Sequence, residues 1–384
     1  MSKRKQFRNL MSVMKLDGFY LIEDKKIMNG HMLKVGIPPT SSYENFLKAK
    51  PKLEDYFKGI IEIERIRFAS YMNVKIITKD IGNYKFAPVE SGPSKLYIGK
   101  EFDGNDYFVD LNKDAHVLIA GVTGTGKSFL LASMLTNLIY NHSKFYDIYL
   151  CQTAKRDIDY LKNCKGVKAT LYTENEISYV LNRALKEINR RSEIFSKLGT
   201  RGIEHYNKVS KYRMKRQLYV FEEISLYEDC ENVWNNIWKI VKLGRESGIH
   251  IIALTQRTTA ANLGGSGEIK SQLARITFRQ AQAIDSCNCI DCDLATKLKD
   301  REVYCLTTDG LKLIKVPTVD MDRLNEYVPE IKCYNSDAEE IQVSEEPEHF
   351  ETYIDMRIED YERLNKKPEK KVKSKRTRKG VVKC

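Results

Sequence analysis

The sequence predicts an α/β protein: a largely parallel, helix-covered sheet, with a smaller α+β module before it and a charged, disordered tail after it. Three observations predict this. Residues Gly121–Ser128 read GVTGTGKS between the apolar run His116–Ala120 and the helix-like segment Phe129–Leu135. From residue 115 to about 320, short strand-length apolar runs alternate with helical patterns, which is the order that parallel pairing with helical crossovers requires. Beyond residue 336 apolar side chains thin out and like charges gather in blocks. The expected division is therefore 1–110, 111–320 and 321–384.

The eight-residue loop is a phosphate cradle. Its glycines let the backbone curl with its N–H groups inward, and the helix that follows presents its positive end to the same anion. Gly121, Val122, Thr123, Gly124, Thr125, Gly126, Lys127 and Ser128 are expected to wrap the phosphates of ATP. Lys127 would reach the β- and γ-phosphates, and Ser128 would hold Mg²⁺. An ordinary glycine turn is the alternative, and the strand–loop–helix context argues against it.

About ninety residues on, the apolar run Gln217–Phe221 ends in Glu222 and Glu223. Two carboxylates at the end of a buried strand are costly without a cation or a reaction to use them. Glu222 is expected beside Mg²⁺, and Glu223 is expected to polarise the water that attacks the terminal phosphate. A solvated acidic turn is the plain alternative. A further strand, Ile249–Thr255, delivers Gln256 to the same edge, where its amide can bond the γ-phosphate or the water.

The other strands of this region are expected at 147–152 and 275–280, with 302–306 and 311–316 closing as an antiparallel pair. Between the second and third strands runs a long helix. Thr173 and Glu176 form a capping-box pattern ahead of it. Leu181, Leu185, Ile188, Phe195 and Leu198 make its apolar face, opposite Lys186, Glu187, Arg190, Arg191 and Lys197. It runs into the basic loop Gly199–Gly202. The first 110 residues show strands at 32–37, 60–64 and 74–77, a helix over 42–57, and a hairpin from 96–99 and 107–110 leading into the P-loop strand.

Composition bounds these readings. At 384 residues the chain holds about two domains. No apolar stretch approaches a bilayer span, and no apolar segment follows the basic start, so no signal peptide and a cytoplasmic location are expected. Nine cysteines without framework spacing fit a reducing compartment. Residues 337–362 carry eleven acidic side chains against Arg357 alone, and 366–384 carry ten basic ones against Glu369, so with Arg363 the tail is neutral. The whole excess of +12 belongs to residues 1–336, which suggests a polyanionic partner, nucleic acid ahead of lipid. Lys366–Lys379 could grip DNA phosphates or an acidic partner; a solvated extension is the alternative.

Between about Leu96 and Val316 the residues resemble the FtsK/SpoIIIE family of DNA translocases. The resemblance rests on Leu96–Gly104 and His116–Gly121, on Ala184–Arg191, Leu198-Gly199 and His205–Asn207, on Gly244–His250 with Thr255–Arg257, and on Arg275–Phe278 with Ile284–Ser286. It implies a RecA-like P-loop ATPase core that works as a hexameric ring and drives double-stranded DNA through its channel. Nucleotide would lie between subunits, with an arginine from the neighbour completing the site; Arg245 is the candidate, a surface arginine being the alternative. Basic loops around Arg201 and Lys270 would touch DNA phosphates.

The family usually has Asp-Glu where this chain has Glu222-Glu223. Its membrane-spanning N-terminus and its C-terminal winged-helix module are not expected here. In kind, the chain resembles the FtsK-like coupling proteins of Gram-positive conjugative elements, which implies a relaxase and a transfer channel as partners and recruitment to the membrane by one of them. The alternative function is a DNA-binding ATPase switch serving replication or mobilisation without movement.

Other features take plain readings. Cys287, Cys289 and Cys292 lack the second pair or nearby histidine that zinc would need. Trp234 and Trp238, with Val233, Ile237 and Val241, fall at helical spacing and are expected to pack. His250, in a strand, is expected to be structural.

Overall fold

The computed structural model describes residues 3–153, 156–256 and 270–324. Within residues 116–307 the phosphate loop's strand is the organiser. Strand β7 (His116–Ala120) lies at the middle of a ten-stranded sheet of order β6-β5-β14-β13-β12-β7-β11-β10-β8-β9. The members are β5 (Lys95–Glu101), β6 (Asp106–Asp110), β8 (Tyr146–Cys151), β9 (Val167–Leu171), β10 (Arg216–Phe221), β11 (Ile249–Thr255), β12 (Leu273–Thr277), β13 (Glu302–Thr307) and β14 (Gly310–Lys315).

From β12 through β9 every pairing is parallel, and from β12 back to β6 every pairing is antiparallel. Burial explains the division. β7, β11 and β12 are buried at every position, as strands covered on both faces must be. Alternate side chains feed two cores. Val117, Ile119, Ile148, Val220 and Leu254 face α4 (Lys127–His142), whereas Leu118, Tyr149, Tyr219, Phe221 and Ile251 face α5 (Glu174–Leu198) and α7 (Glu231–Ser247). A short helix, α6 (Ile203–Val209), lies between α5 and β10.

Ahead of this sheet stands a four-stranded antiparallel one of order β1-β2-β4-β3, from β1 (Tyr20–Ile27), β2 (Gly30–Gly36), β3 (Ile60–Arg65) and β4 (Tyr71–Ile77). α1 (Lys3–Val13), α2 (Tyr43–Lys48) and α3 (Lys50–Phe57) share one hydrophobic core with it, built round Phe7, Met11, Val35, Phe46, Leu53, Ile61 and Met72. Lys75 on β4 reaches Asp103 (2.7 Å), Glu101 (3.0 Å) and Glu62 (3.3 Å), tying this sheet to the β5–β6 hairpin.

Several sequence expectations need correction. The single helix over 42–57 is two, α2 and α3, breaking at Ala49 just before Pro51, whose ring cannot continue a helix begun before it. Arg191 does not lie on the solvent face of α5. It falls three residues after Ile188 on the buried stripe and is 3 % exposed, with its guanidinium donating to Glu187 (2.6 Å) and to the Ser247 carbonyl at the end of α7 (2.6 Å). α1, β1 and β9 were not anticipated. The capping box at Thr173 and Glu176 forms as the sequence indicates. The tail from residue 325 onward, including Lys366–Lys379, lies outside the described residues.

Candidate nucleotide site

The loop between β7 and α4 turns sharply into the helix at Gly126, whose φ of 108° suits glycine and few other residues. This leaves the first N–H groups of α4 directed at the cleft, where an anion is favoured. Lys127 is folded against its own loop, Nζ donating to the Gly121 carbonyl (2.6 Å) and the Val122 carbonyl (3.1 Å). A cleft of about 550 Å³ opens above, lined by Thr123, Gly124, Gly126, Lys127, Ser128, Phe129, Asp157, Glu222, Leu254, Gln256 and Met321.

Strand order assembles the rest. β11 lies between β7 and β10, so Gln256, which directly follows its last residue Thr255, emerges between the phosphate loop and the paired carboxylates. Thr123 Oγ1 donates to Gln256 Oε1 (2.8 Å), while the Gln256 N–H donates to Glu223 Oε1 (3.3 Å), which also accepts from Ser225 Oγ (2.8 Å). Gln256 is thus a mechanical link from the loop to Glu223. Glu222 and Glu223 are both buried, 5 % and 6 % exposed, so they are not a solvated turn. Glu222 Oε1 accepts the Ile158 N–H at 3.1 Å.

Ser128 Oγ donates to Asp157 Oδ2 at 2.8 Å. Asp157 was not singled out from the sequence. Nothing local marks it, for it lies in an irregular turn after β8 and meets Ser128 only through the fold. Ser128, Asp157 and Glu222 offer only hard oxygen donors to the cleft, a set that fits a magnesium ion.

The structure does not bring the other candidates to this place. Arg245 is at the last turn of α7, exposed, with Nε donating to the Asn112 carbonyl (3.1 Å). Asn112 precedes β7, so Arg245 stands at the edge where that strand begins and the phosphate loop at the edge where it ends. Arg201 is exposed in the turn between α5 and α6, its N–H donating to His205 Nδ1 (3.2 Å). Lys270 is half-buried and donates to the Asn288 carbonyl (2.8 Å); residues 257–269 before it lie outside the described residues.

His250 is fully buried, donating from Nδ1 to the Ala115 carbonyl (2.7 Å), as a structural histidine should. Trp234 and Trp238 meet edge to face at 5.0 Å against the α5–α7 core. Cys287 is exposed, Cys289 buried and Cys292 half-buried around the helix α8 (Ala283–Ile290). Among the described residues no group of three or more His, Cys, Asp or Glu side chains is gathered to hold a metal. No helix among them is long and apolar enough to cross a membrane.

Residues 83–228, which contain the loop, the paired carboxylates and the strands between them, match the FtsK/SpoIIIE family. Over this segment the chain resembles the FtsK/SpoIIIE family. The DNA translocase FtsK of Caldanaerobacter subterraneus subsp. tengcongensis is 31 % identical over 207 residues, covering 52 % of this chain and 29 % of that protein. The DNA translocase FtsK of Helicobacter pylori (strain J99) is 28 % identical over 255 residues, covering 63 % and 30 %. The chain thus spans less than a third of these relatives' length.

Among solved structures, the pCW3 conjugation coupling protein TcpA, a monomer form with ATPgS, shares the fold with a TM-score of 0.58 at 19 % identity over 84 % of this chain and 98 % of that one. The cytoplasmic domain of the Thermomonospora curvata type VII secretion ATPase EccC gives 0.56 at 19 % identity over 68 % and 34 %. The TcpA match extends well beyond the segment that carries the family match.

Proposed function

We propose that this protein is an FtsK/SpoIIIE ATPase that hydrolyses Mg²⁺-ATP to move double-stranded DNA, as a coupling protein that brings a mobile element's DNA to a transfer channel. The observation that carries the reading is the link from Thr123 through Gln256 to Glu223. It joins the loop that senses the terminal phosphate to the residue that activates water, on the strand between them. FtsK relatives that are translocases and the fold shared with a conjugation coupling protein support the choice of DNA and of transfer.

In this mechanism the loop N–H groups and the head of α4 hold the phosphates, and Lys127 leaves its two carbonyls to reach the β- and γ-oxygens. Glu223, held by Ser225 and by the Gln256 main chain, takes the proton of the attacking water. Gln256 changes partner from Thr123 to the phosphate or the water, so hydrolysis is felt on β11. Ser128, with Glu222 and Asp157 at the same cleft, would hold magnesium, which would offset phosphate charge. Arg245 stands a strand's length, roughly 17 Å, from its own phosphate loop, so it can serve only a neighbour's nucleotide; this favours a ring, taken to be a hexamer. Arg201 and Lys270 are assigned to the DNA backbone, and a relaxase or channel protein to recruitment from the cytoplasm.

The test is displacement of a third strand from a long duplex. ATP-dependent release, with hydrolysis stimulated by duplex and both lost in Lys127→Ala, is expected. DNA-dependent assembly without release would instead favour an ATPase switch in replication or mobilisation.

A further inference from the structure

We propose that the turn Asp157-Ile158 supplies the metal side of the site: the Asp157 carboxylate orients the Ser128 hydroxyl and gives the negative charge facing magnesium, while Glu222 anchors the turn. This rests on the Mg²⁺-ATP reading above and goes beyond it by moving the metal-side role from Glu222 to a residue on another strand's loop.

A serine hydroxyl has one proton and two lone pairs. To ligate a cation it must direct a lone pair inward, which it does best when its proton is bound elsewhere. At 2.8 Å from Ser128 Oγ, Asp157 Oδ2 is that acceptor, and as an anion it also makes the hydroxyl a stronger ligand. Its exposure suits it to the hydrated face of magnesium, which keeps several waters.

Glu222 is placed differently. It is 5 % exposed, and its Oε1 is engaged by the Ile158 N–H at 3.1 Å. Ile158 is itself fully buried, so the turn is pinned by its apolar side chain as well as by Glu222. Two adjacent residues therefore join the first turn of α4 to the end of β10, one through a side chain and one through a backbone N–H. Ser128, Asp157 and Glu222 all border the same 550 Å³ cleft.

The experiment uses the full chain without DNA and follows binding of a slowly hydrolysed ATP analogue as Mg²⁺ is titrated, with Mn²⁺ paramagnetic resonance reporting the cation directly. Asp157→Asn should raise the Mg²⁺ concentration for half-saturation by roughly 10- to 100-fold. Analogue affinity in EDTA and the thermal midpoint of the nucleotide-free protein should stay those of the wild type. Glu222→Gln, which keeps an oxygen for the Ile158 N–H, should shift the Mg²⁺ midpoint less. Adding Asp157→Asn to Ser128→Ala should give a smaller further shift than Asp157→Asn gives alone. A wild-type Mg²⁺ midpoint in Asp157→Asn, or a larger shift in Glu222→Gln, overturns the assignment. Wild-type protein whose analogue binding ignores Mg²⁺ and which binds no Mn²⁺ overturns the magnesium reading itself, and this assignment with it.

Discussion

Lowering the pH should unfold this protein through two histidines far from any chemistry. His116 is 1 % exposed at the start of β7, and its Nδ1 accepts the Ile251 N–H at 3.0 Å, so that nitrogen carries no proton. His250 spends its Nδ1 proton on the Ala115 carbonyl, and its Nε2 faces the Arg216 guanidinium at 3.0 Å. Both rings are held neutral. Burial pushes His116 from 6.5 down to about 3, and burial, with Arg216 nearby, holds His250 well below its usual range.

The folded values lie below the unfolded ones. Nothing is therefore lost above pH 6.5, and stability falls as pH drops from there toward 3. For His116 each unit below 6.5 costs about 1.4 kcal/mol, because the unfolded chain holds a proton that the folded one refuses. At pH 5 this is about 2 kcal/mol for His116, a large share of a typical 5–15 kcal/mol, and His250 adds a loss in the same direction. Urea unfolding of ligand-free protein at pH 7.5, 6.0 and 5.0 measures it. His116→Asn keeps an acceptor at the Nδ1 position but cannot titrate, so its loss between pH 6 and 5 should be smaller than the wild type's by about 1 kcal/mol. Equal losses in the two proteins would refute the argument that His116 is held neutral by its surroundings.

Three further outcomes are expected. Glu223→Gln should bind ATP as the wild type does but hydrolyse it 10²- to 10⁴-fold more slowly, roughly what a lost general base costs; single-turnover phosphate release measures it, and an unchanged rate would remove Glu223 from its role. Gln256→Ala should keep nucleotide binding but lose stimulation of hydrolysis by duplex, because the Thr123-to-Glu223 link is cut; an ATPase assay with and without DNA decides this. Gly244→Ala should destabilise by about 1–3 kcal/mol or more. The added methyl carbon would stand 2.2 Å from the Ile249 carbonyl oxygen where α7 crosses β11, and a wild-type thermal midpoint would contradict so close an approach.

Elements whose pattern is set by their own residues were legible. β7, β8, β10 and β11 are apolar runs that can only be buried strands, and the phosphate loop declares itself by its glycines and its Lys127-Ser128 end. β1 hid because it is an edge strand carrying Glu23, Asp24, Lys25 and Lys26, charges that keep edges from pairing but mask the alternation that marks a strand. α1 carried a signal, Phe7 and Met11 four apart with Leu10 and Met14 beside them, masked by its basic start. Arg191 reads as solvent-facing by its charge, whereas its place in the helical period, three after Ile188, puts it on the buried stripe of α5.

The sequence by itself determined that a nucleotide loop lies between a strand and a helix, that two carboxylates follow one strand and a glutamine another, and that the strands around the loop pair in parallel. Only the tertiary structure decided that β11 runs between β7 and β10, which gives Gln256 its two partners. Likewise, only the tertiary structure set Asp157 against Ser128 and put Arg245 at the sheet edge away from its own loop. Periodicity and loop chemistry arise from neighbours a few positions away. Strand order arises from how whole faces bury against one another, and no short stretch of residues carries it.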